Sequence, residues 1–132
     1  MISLENKLRE VAESYRFLAG LDVLDIKFKS GHTMDVYVAM DRKTRGRGLA
    51  GLTSLDTDGM LFFFEVATYV PFSMNDMLFD LNIAWYDESG KLIQSGEYKA
   101  GDPTPITCPK PFSYVLETPV GMLPTSDLSF DG

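Results

Sequence analysis

Residues 58–91 read DGMLFFFEVATYVPFSMNDMLFDLNIAWYDESGK, and this stretch holds the densest apolar matter in the chain together with its only Trp. The run Met60-Leu61-Phe62-Phe63-Phe64 after Gly59 is too short to cross a membrane and too aromatic for an ordinary helix, so it reads as a strand buried on both faces. Pro71 breaks the run. Leu81-Asn82-Ile83-Ala84-Trp85-Tyr86 then gives a second strand, closed by the turn signal Asp87-Glu88-Ser89-Gly90. Two such strands need partners to pair with and layers to cover them, and the flanking segments are cut for both tasks.

Toward the N-terminus, Leu24, Ile26 and Phe28 alternate with Asp25, Lys27 and Lys29. Across the turn Ser30-Gly31-His32, Met34, Val36, Val38 and Met40 alternate with Thr33, Asp35, Tyr37 and Ala39, which predicts a β-hairpin with one buried face. Before the hairpin, Leu4, Leu8, Val11, Tyr15 and Leu18 fall on one stripe of a helix that Ser3 caps and Gly20 ends. That stripe is expected to lie on the chain's own sheet or on another chain. After the hairpin, Asp41 to Leu52 is basic and broken by three glycines, with Asp41 placed to cap a short helix. Its cations could hold a phosphate or a carboxylate, or simply be solvated.

Beyond the central strands, Leu92–Tyr98 is a weaker strand candidate, prolines 103, 105, 109 and 111 force an irregular passage, and Ser113–Glu117 is a further strand. The tail after Gly121 is polar and is expected to hang loose unless a partner chain or the domain surface holds it. The resulting division is a helix over 1–20, a β domain over 21–123 and a tail over 124–132.

With 132 residues, 45% of them apolar, there is one domain and one core. No apolar run reaches the roughly 18 to 20 residues of a membrane span, and the charged start MISLENKLRE does not read as a signal peptide. A single cysteine, Cys108, forms no internal disulfide. The net charge of −7 opposes contacts with nucleic-acid phosphates. It is unevenly spread, with nine Lys/Arg against seven Asp/Glu in residues 1–47 and three against twelve thereafter, which reads first as scattered solvating charge, with head-to-tail association between copies as the alternative.

Motifs for chemistry are sparse. Ser54, Asp56, Asp58, Gly59 and Glu65 stand at positions one, three, five, six and twelve of a calcium loop. Position one lacks its carboxylate, however, and a strand rather than a helix follows. His32 is the only histidine and sits at a hairpin tip, so a zinc site or a Ser-His triad is not expected. Cys108 has no basic neighbour before Lys110 to activate it. Among the many carboxylates, Asp76, Asp80 and Glu117 include candidates for a pair meeting in a cleft.

Several segments in order resemble one family: Arg47-Gly48-Leu49-Ala50, Gly59-Met60-Leu61-Phe62, Phe72-Ser73-Met74-Asn75-Asp76-Met77, Leu81-Asn82-Ile83, Asp87-Glu88-Ser89-Gly90, and Tyr114-Val115-Leu116-Glu117 followed by Gly121. The chain resembles the bacterial and archaeal domain of unknown function 192 family over residues 33–123. The resemblance implies a small, mostly β, barrel-like domain with a short helix and no established reaction. It also brings an expectation of leaderless phage relatives. The chain departs from the family pattern at Ala50 for Met, Ser73 for Trp, Asp80 for Pro and Asn82 for Asp.

Taken together, these readings predict a mainly antiparallel, curved or barrel-like sheet with an N-terminal amphipathic helix. The leading functional expectation is a non-enzymatic interaction module in the cytoplasm or a virion, such as a capsid-decorating protein. It would dock on a protein partner or on itself through its termini, with Leu4, Leu8, Val11, Tyr15, Leu18, Leu128 and Phe130 as the interface. The alternative is a small-ligand or carbohydrate-binding domain, or a weak hydrolase, using Met74, Asp76, Trp85 and Tyr86 in a cleft. No cofactor is expected; the calcium alternative would use Asp56, Asp58 and Glu65.

Overall fold

The computed structural model describes residues 3–121 and 126–130. Its elements in chain order are α1 (Leu4–Ala19), β1 (Val23–Phe28), β2 (Thr33–Ala39), α2 (Arg42–Arg47), β3 (Gly59–Thr68), β4 (Leu81–Tyr86), β5 (Leu92–Tyr98), β6 (Phe112–Pro119) and β7 (Leu128–Ser129). The strands form one sheet in the order β5-β4-β6-β3-β2-β1-β7. All pairings are antiparallel except β2 with β3, where Val36 faces Gly59 and Ala39 faces Phe62. α2 and the loop after it provide the crossover that a parallel neighbour requires. The sheet is therefore mainly antiparallel and curled, as the apolar pattern and the family resemblance predicted.

The curl brings the two ends of the sheet together. The Leu128 amide donates to the Gly90 carbonyl at 2.8 Å, and the Leu92 amide donates to Asp127 Oδ1 at 2.8 Å. β7 thus bridges β1 to the β4–β5 turn, and the gap between the sheet's edges is partly closed, which protects an otherwise open edge. Gly90, at φ 86°, sits so near the tail that a side chain there would run into the Phe130 ring and crowd Leu128.

Alternation along each strand divides the core in two. The inner cluster, enclosed by the curl, holds Ile26, Phe28, Met34, Val36, Leu61, Ala84, Tyr86, Leu116 and Leu128. The outer cluster holds Tyr37, Met60, Phe62, Ile83, Trp85 and Val115 from the sheet and Leu18, Leu49, Leu52, Met74, Met77 and Cys108 from the segments lying over it. The first half of β3 and all of β4 are covered on two faces, which is why those sequences run apolar without alternation.

One expectation needs correction, and two open ones are narrowed. The hairpin does not bury one face: Tyr37 and Ala39 enter the outer cluster while Met34 and Val36 enter the inner one, and Leu24 and Met40 are exposed. The cause is the layer over β2, which a period-two pattern cannot reveal. The outer cover comes mostly from loops and not from α1, whose stripe buries only Leu18 and half-buries Val11. Leu4 and Leu8 remain 74% and 61% exposed. α1 is fastened at its C-terminal half, where the Tyr15 hydroxyl donates to the Ser54 carbonyl at 3.0 Å and accepts from the Ser54 amide at 3.1 Å. Of the two ways the tail could be held, its described part shows the domain surface: Leu128 fills the inner cluster and the exposed Phe130 ring lies 5.4 Å from that of Tyr114. Residues 122–125 and 131–132 of the expected tail lie outside the described residues.

Candidate functional site

On β6 the alternation sends Leu116 inward and Val115 to the outer face, so Glu117 also faces outward. Its lateral neighbours are Met60 on β3 and Ile83 on β4, both members of the outer cluster. A carboxyl thus stands in the middle of an apolar layer. It is 5% exposed, and among the described residues it has no hydrogen-bond partner. Burial alone pushes its pKa up to about 8, so it carries its proton at neutral pH.

Glu117 lies in the lining of a cleft of about 830 Å³. One wall is α2 with the following turn, Gly48 to Ala50. Asp41 caps α2 by accepting from the Thr44 amide at 2.7 Å, and Gly48 ends it at φ 53°. A side chain at Gly48 would press on the Phe62 ring at 3.2 Å, so glycine both permits the turn and lets the wall approach the sheet. The opposite walls are β3, with Phe62, Phe64 and Glu65, and the Phe72–Met77 segment.

Arginines fix the first wall in place. The Arg45 guanidinium donates to the carbonyls of Met40 and Phe63 and lies 4.7 Å over the Phe64 ring, joining α2 to β3 where β2 has ended. Arg47 donates to Ser14 Oγ at 3.0 Å and lies 5.4 Å over the Phe17 ring, joining the same wall to α1. Arg42 is exposed at the mouth. Across from it, the Asp76 carbonyl accepts from the Gly51 amide at 3.3 Å, which ties the Phe72–Met77 segment to the glycine-rich turn. The cleft therefore has a protonated carboxyl in its lining, an apolar and aromatic interior from Leu49, Phe62, Phe72 and Met77, and both signs of charge at its mouth. That is the make-up of a small-molecule pocket, with few polar groups among apolar walls.

The basic, glycine-broken segment, one candidate for holding an anion, thus supplies a cleft wall. Of the carboxylates singled out as a pair, Asp76 and Glu117 line this one cleft. Asp80 does not; it accepts from the Ala100 amide at 2.8 Å and pairs with Lys99 at 3.2 Å, contacts that lower its pKa. The other predicted ligand residues are dispersed. Met74 is buried and touches a separate hollow of about 340 Å³ beside Tyr98 and Ile106. Trp85 and Tyr86 are both 0% exposed and, as strand neighbours, point to opposite layers. Trp85 packs edge-on against Phe72 and Tyr98, and the Tyr86 hydroxyl, without a partner among the described residues, has its pKa raised by burial and then by Asp127.

The calcium alternative is used otherwise. Asp56 accepts from the Tyr37 hydroxyl at 2.6 Å, Asp58 accepts from the Asp35 amide at 2.9 Å, and Glu65 sits along β3 on the cleft wall. Among the described residues no group of three His, Cys, Asp or Glu is placed to hold a metal. Cys108 is buried in the outer cluster, which raises its thiol pKa. Among the described residues no helix is long and apolar enough to cross a membrane.

Glu117 was legible only as one carboxylate among many. Its sequence signal is a charge inside an otherwise apolar strand, in the segment Tyr114-Val115-Leu116-Glu117 that also carries the family resemblance. Three other resemblance segments reach the same cleft, through Gly48 and Leu49, through Phe62, and through Phe72 and Asn75.

Two solved structures share this fold. A protein of unknown function from Novosphingobium aromaticivorans DSM 12444 superposes with a TM-score of 0.74 at 22% identity, covering 86% of this chain and 89% of that one. A protein from Sinorhizobium meliloti 1021, described as a suggested transcription regulator, superposes with a TM-score of 0.66 at 26% identity, covering 80% of this chain and 89% of that one. No curated protein matches the chain. The model of the DUF192 family, described as "Uncharacterized ACR", matches residues 25–131, and the chain belongs to that family.

Proposed function

We propose that this chain is a small-ligand-binding domain whose site is the cleft over Glu117. One observation carries the reading: the carboxyl of Glu117, a residue only 5% exposed and without a side-chain hydrogen-bond partner among the described residues, lies at the edge of an open cleft. Burying such a group is costly unless something hydrogen-bonds to it, and polar groups left in that state concentrate at functional sites. A ligand that satisfies the carboxyl removes the cost on binding. The meeting of four resemblance segments at the same cleft supports the reading, since a purely structural motif set would have no reason to surround an empty space. The role suggested for the Sinorhizobium relative is not carried over, because a net charge of −7 opposes contact with DNA phosphates.

The test is protein-observed NMR against a fragment library of neutral heterocycles, amides, carboxylates and sugars at pH 6.5. The expected result is that binders move the amide signals of Gly48, Phe72 and Glu117. Binders that shift only residues outside the cleft overturn the reading.

A second reading, docking through the termini, rests on the exposed half of the α1 stripe. Leu4 and Leu8 present apolar surface that the domain leaves uncovered. An interaction module of this kind, virion-associated or not, would use that surface and leave the cleft idle.

A further inference from the structure

The cleft's own hydrogen-bonding pattern narrows the ligand class, on the reading that the cleft is a binding site. A protonated carboxyl presents one donor and one acceptor side by side, the O–H and the C=O. Its two-point complement is a group that offers an acceptor beside a donor in one plane. A primary carboxamide has that edge, and so does the N–H and C=O of a lactam or a pyrimidine-type ring. A carbohydrate hydroxyl satisfies either half but lacks the fixed planar pair, while a carboxylate anion cannot donate at all.

The surroundings of Glu117 select in the same direction. Its flanking strand residues are Met60 and Ile83, and the aromatic rings of Phe62, Phe64 and Phe72 line the space above. These walls favour a flat, apolar body over a heavily hydroxylated one. The charged groups that line the cleft are Asp41, Arg42, Arg45, Arg47, Glu65 and Asp76. Arg45 and Arg47 are already held by Phe63 and Ser14, and Asp41 by Thr44. We infer that the cleft takes a small neutral molecule with a planar amide-type edge on an aromatic or heterocyclic body, and that Glu117 reads this edge by a paired hydrogen bond.

The experiment titrates the full chain by calorimetry and NMR with benzamide, nicotinamide, 2-pyridone and uracil. Methyl benzoate and N,N-dimethylbenzamide serve as controls that keep the acceptor and lack the donor. The controls leave the carboxyl's own acceptor unpaired, so they are expected to bind about tenfold to a hundredfold more weakly. A Glu117→Gln side chain presents the same donor and acceptor without titrating, and Glu117→Leu presents neither.

Wild-type affinity for the best amide should fall as pH rises from 6.5 to 9.5, because the ionised carboxylate loses its donor and repels the ligand carbonyl. In Glu117→Gln the affinity for benzamide, nicotinamide or 2-pyridone, none of which ionises over that range, should persist and stay flat, which isolates the Glu117 titration from that of every other cleft group. Glu117→Leu should fold and lose the preference. Cleft binding with equal affinity for amides and controls, or an amide preference that survives in Glu117→Leu, overturns this inference and leaves the binding role standing. If no compound in this set or in the fragment library moves the cleft signals, both fall.

Discussion

At Glu117 the fold carries a group that opposes its stability. The carboxyl's pKa is raised in the folded state, to about 8 from an ordinary 4.5, so the native chain holds a proton that the unfolded chain releases. Stability from this group is complete below about pH 4.5 and is lost progressively as pH rises to about 8. Denaturant unfolding at pH 5, 7 and 9 should therefore show a decline between the first two points that Glu117→Gln removes. The same variant should be more stable than the parent at pH 9, since a neutral amide avoids the charge burial. Gly59 behaves oppositely. A methyl group there would run into the Glu117 carbonyl on the facing strand, so Gly59→Ala should cost roughly 1 to 3 kcal/mol by overpacking, read as a lower denaturation midpoint. The glycine of the Gly-Met-Leu-Phe segment is thus explained by close approach of β3 to β6, with no unusual dihedral needed.

At the scale of elements, β3 shows how far its own sequence could be read. Its existence and its two-sided burial follow from the Met60–Phe64 run, but the degree of burial does not. Phe62 is buried in the outer cluster, whereas Phe63 is only partly covered and leans on Tyr114 with ring centres 5.3 Å apart. Phe62→Asp should destabilise by at least about 3 kcal/mol, through lost packing and an unpaired charge. Phe63→Asp should cost clearly less, and equal melting temperatures for the two variants would contradict this layering. α1 was legible as an amphipathic helix with its cap at Ser3, where Ser3 Oγ accepts from the Asn6 amide at 3.2 Å. What it covers was not legible, because a stripe states that a face is apolar and not which surface meets it. The replacement Leu4→Glu with Leu8→Glu should leave the melting temperature nearly unchanged. If α1 docks on a partner or a second copy, that variant loses the association in sedimentation, and an unchanged sedimentation profile removes support for docking through α1.

For the whole molecule, the deciding fact is that one sheet separates two apolar layers with different duties. The inner layer is sealed by β7, a strand too short to stand out in a polar tail, and its sealing role depends on contacts with β1 and the β4–β5 turn that are remote in sequence. The outer layer carries the cleft, assembled from α2, β3, β6 and a loop. No local period announces such convergence, so the strands other than β7 were readable and the site was not. The separation makes a quantitative prediction. Leu128→Ala removes a side chain from the inner layer and should cost roughly 2 to 5 kcal/mol, because Leu128 is nearly fully buried there. Glu117→Gln acts in the outer layer and should add stability at pH 9. With no side-chain partner shared between them, their effects should sum to within about 0.5 kcal/mol in the double variant. Fragment binding at the cleft should be unchanged in Leu128→Ala under conditions where that variant is folded. A large non-additive term, or loss of cleft binding from the inner-layer substitution alone, would mean that the curl is not a rigid partition and that β7 helps to shape the site from behind.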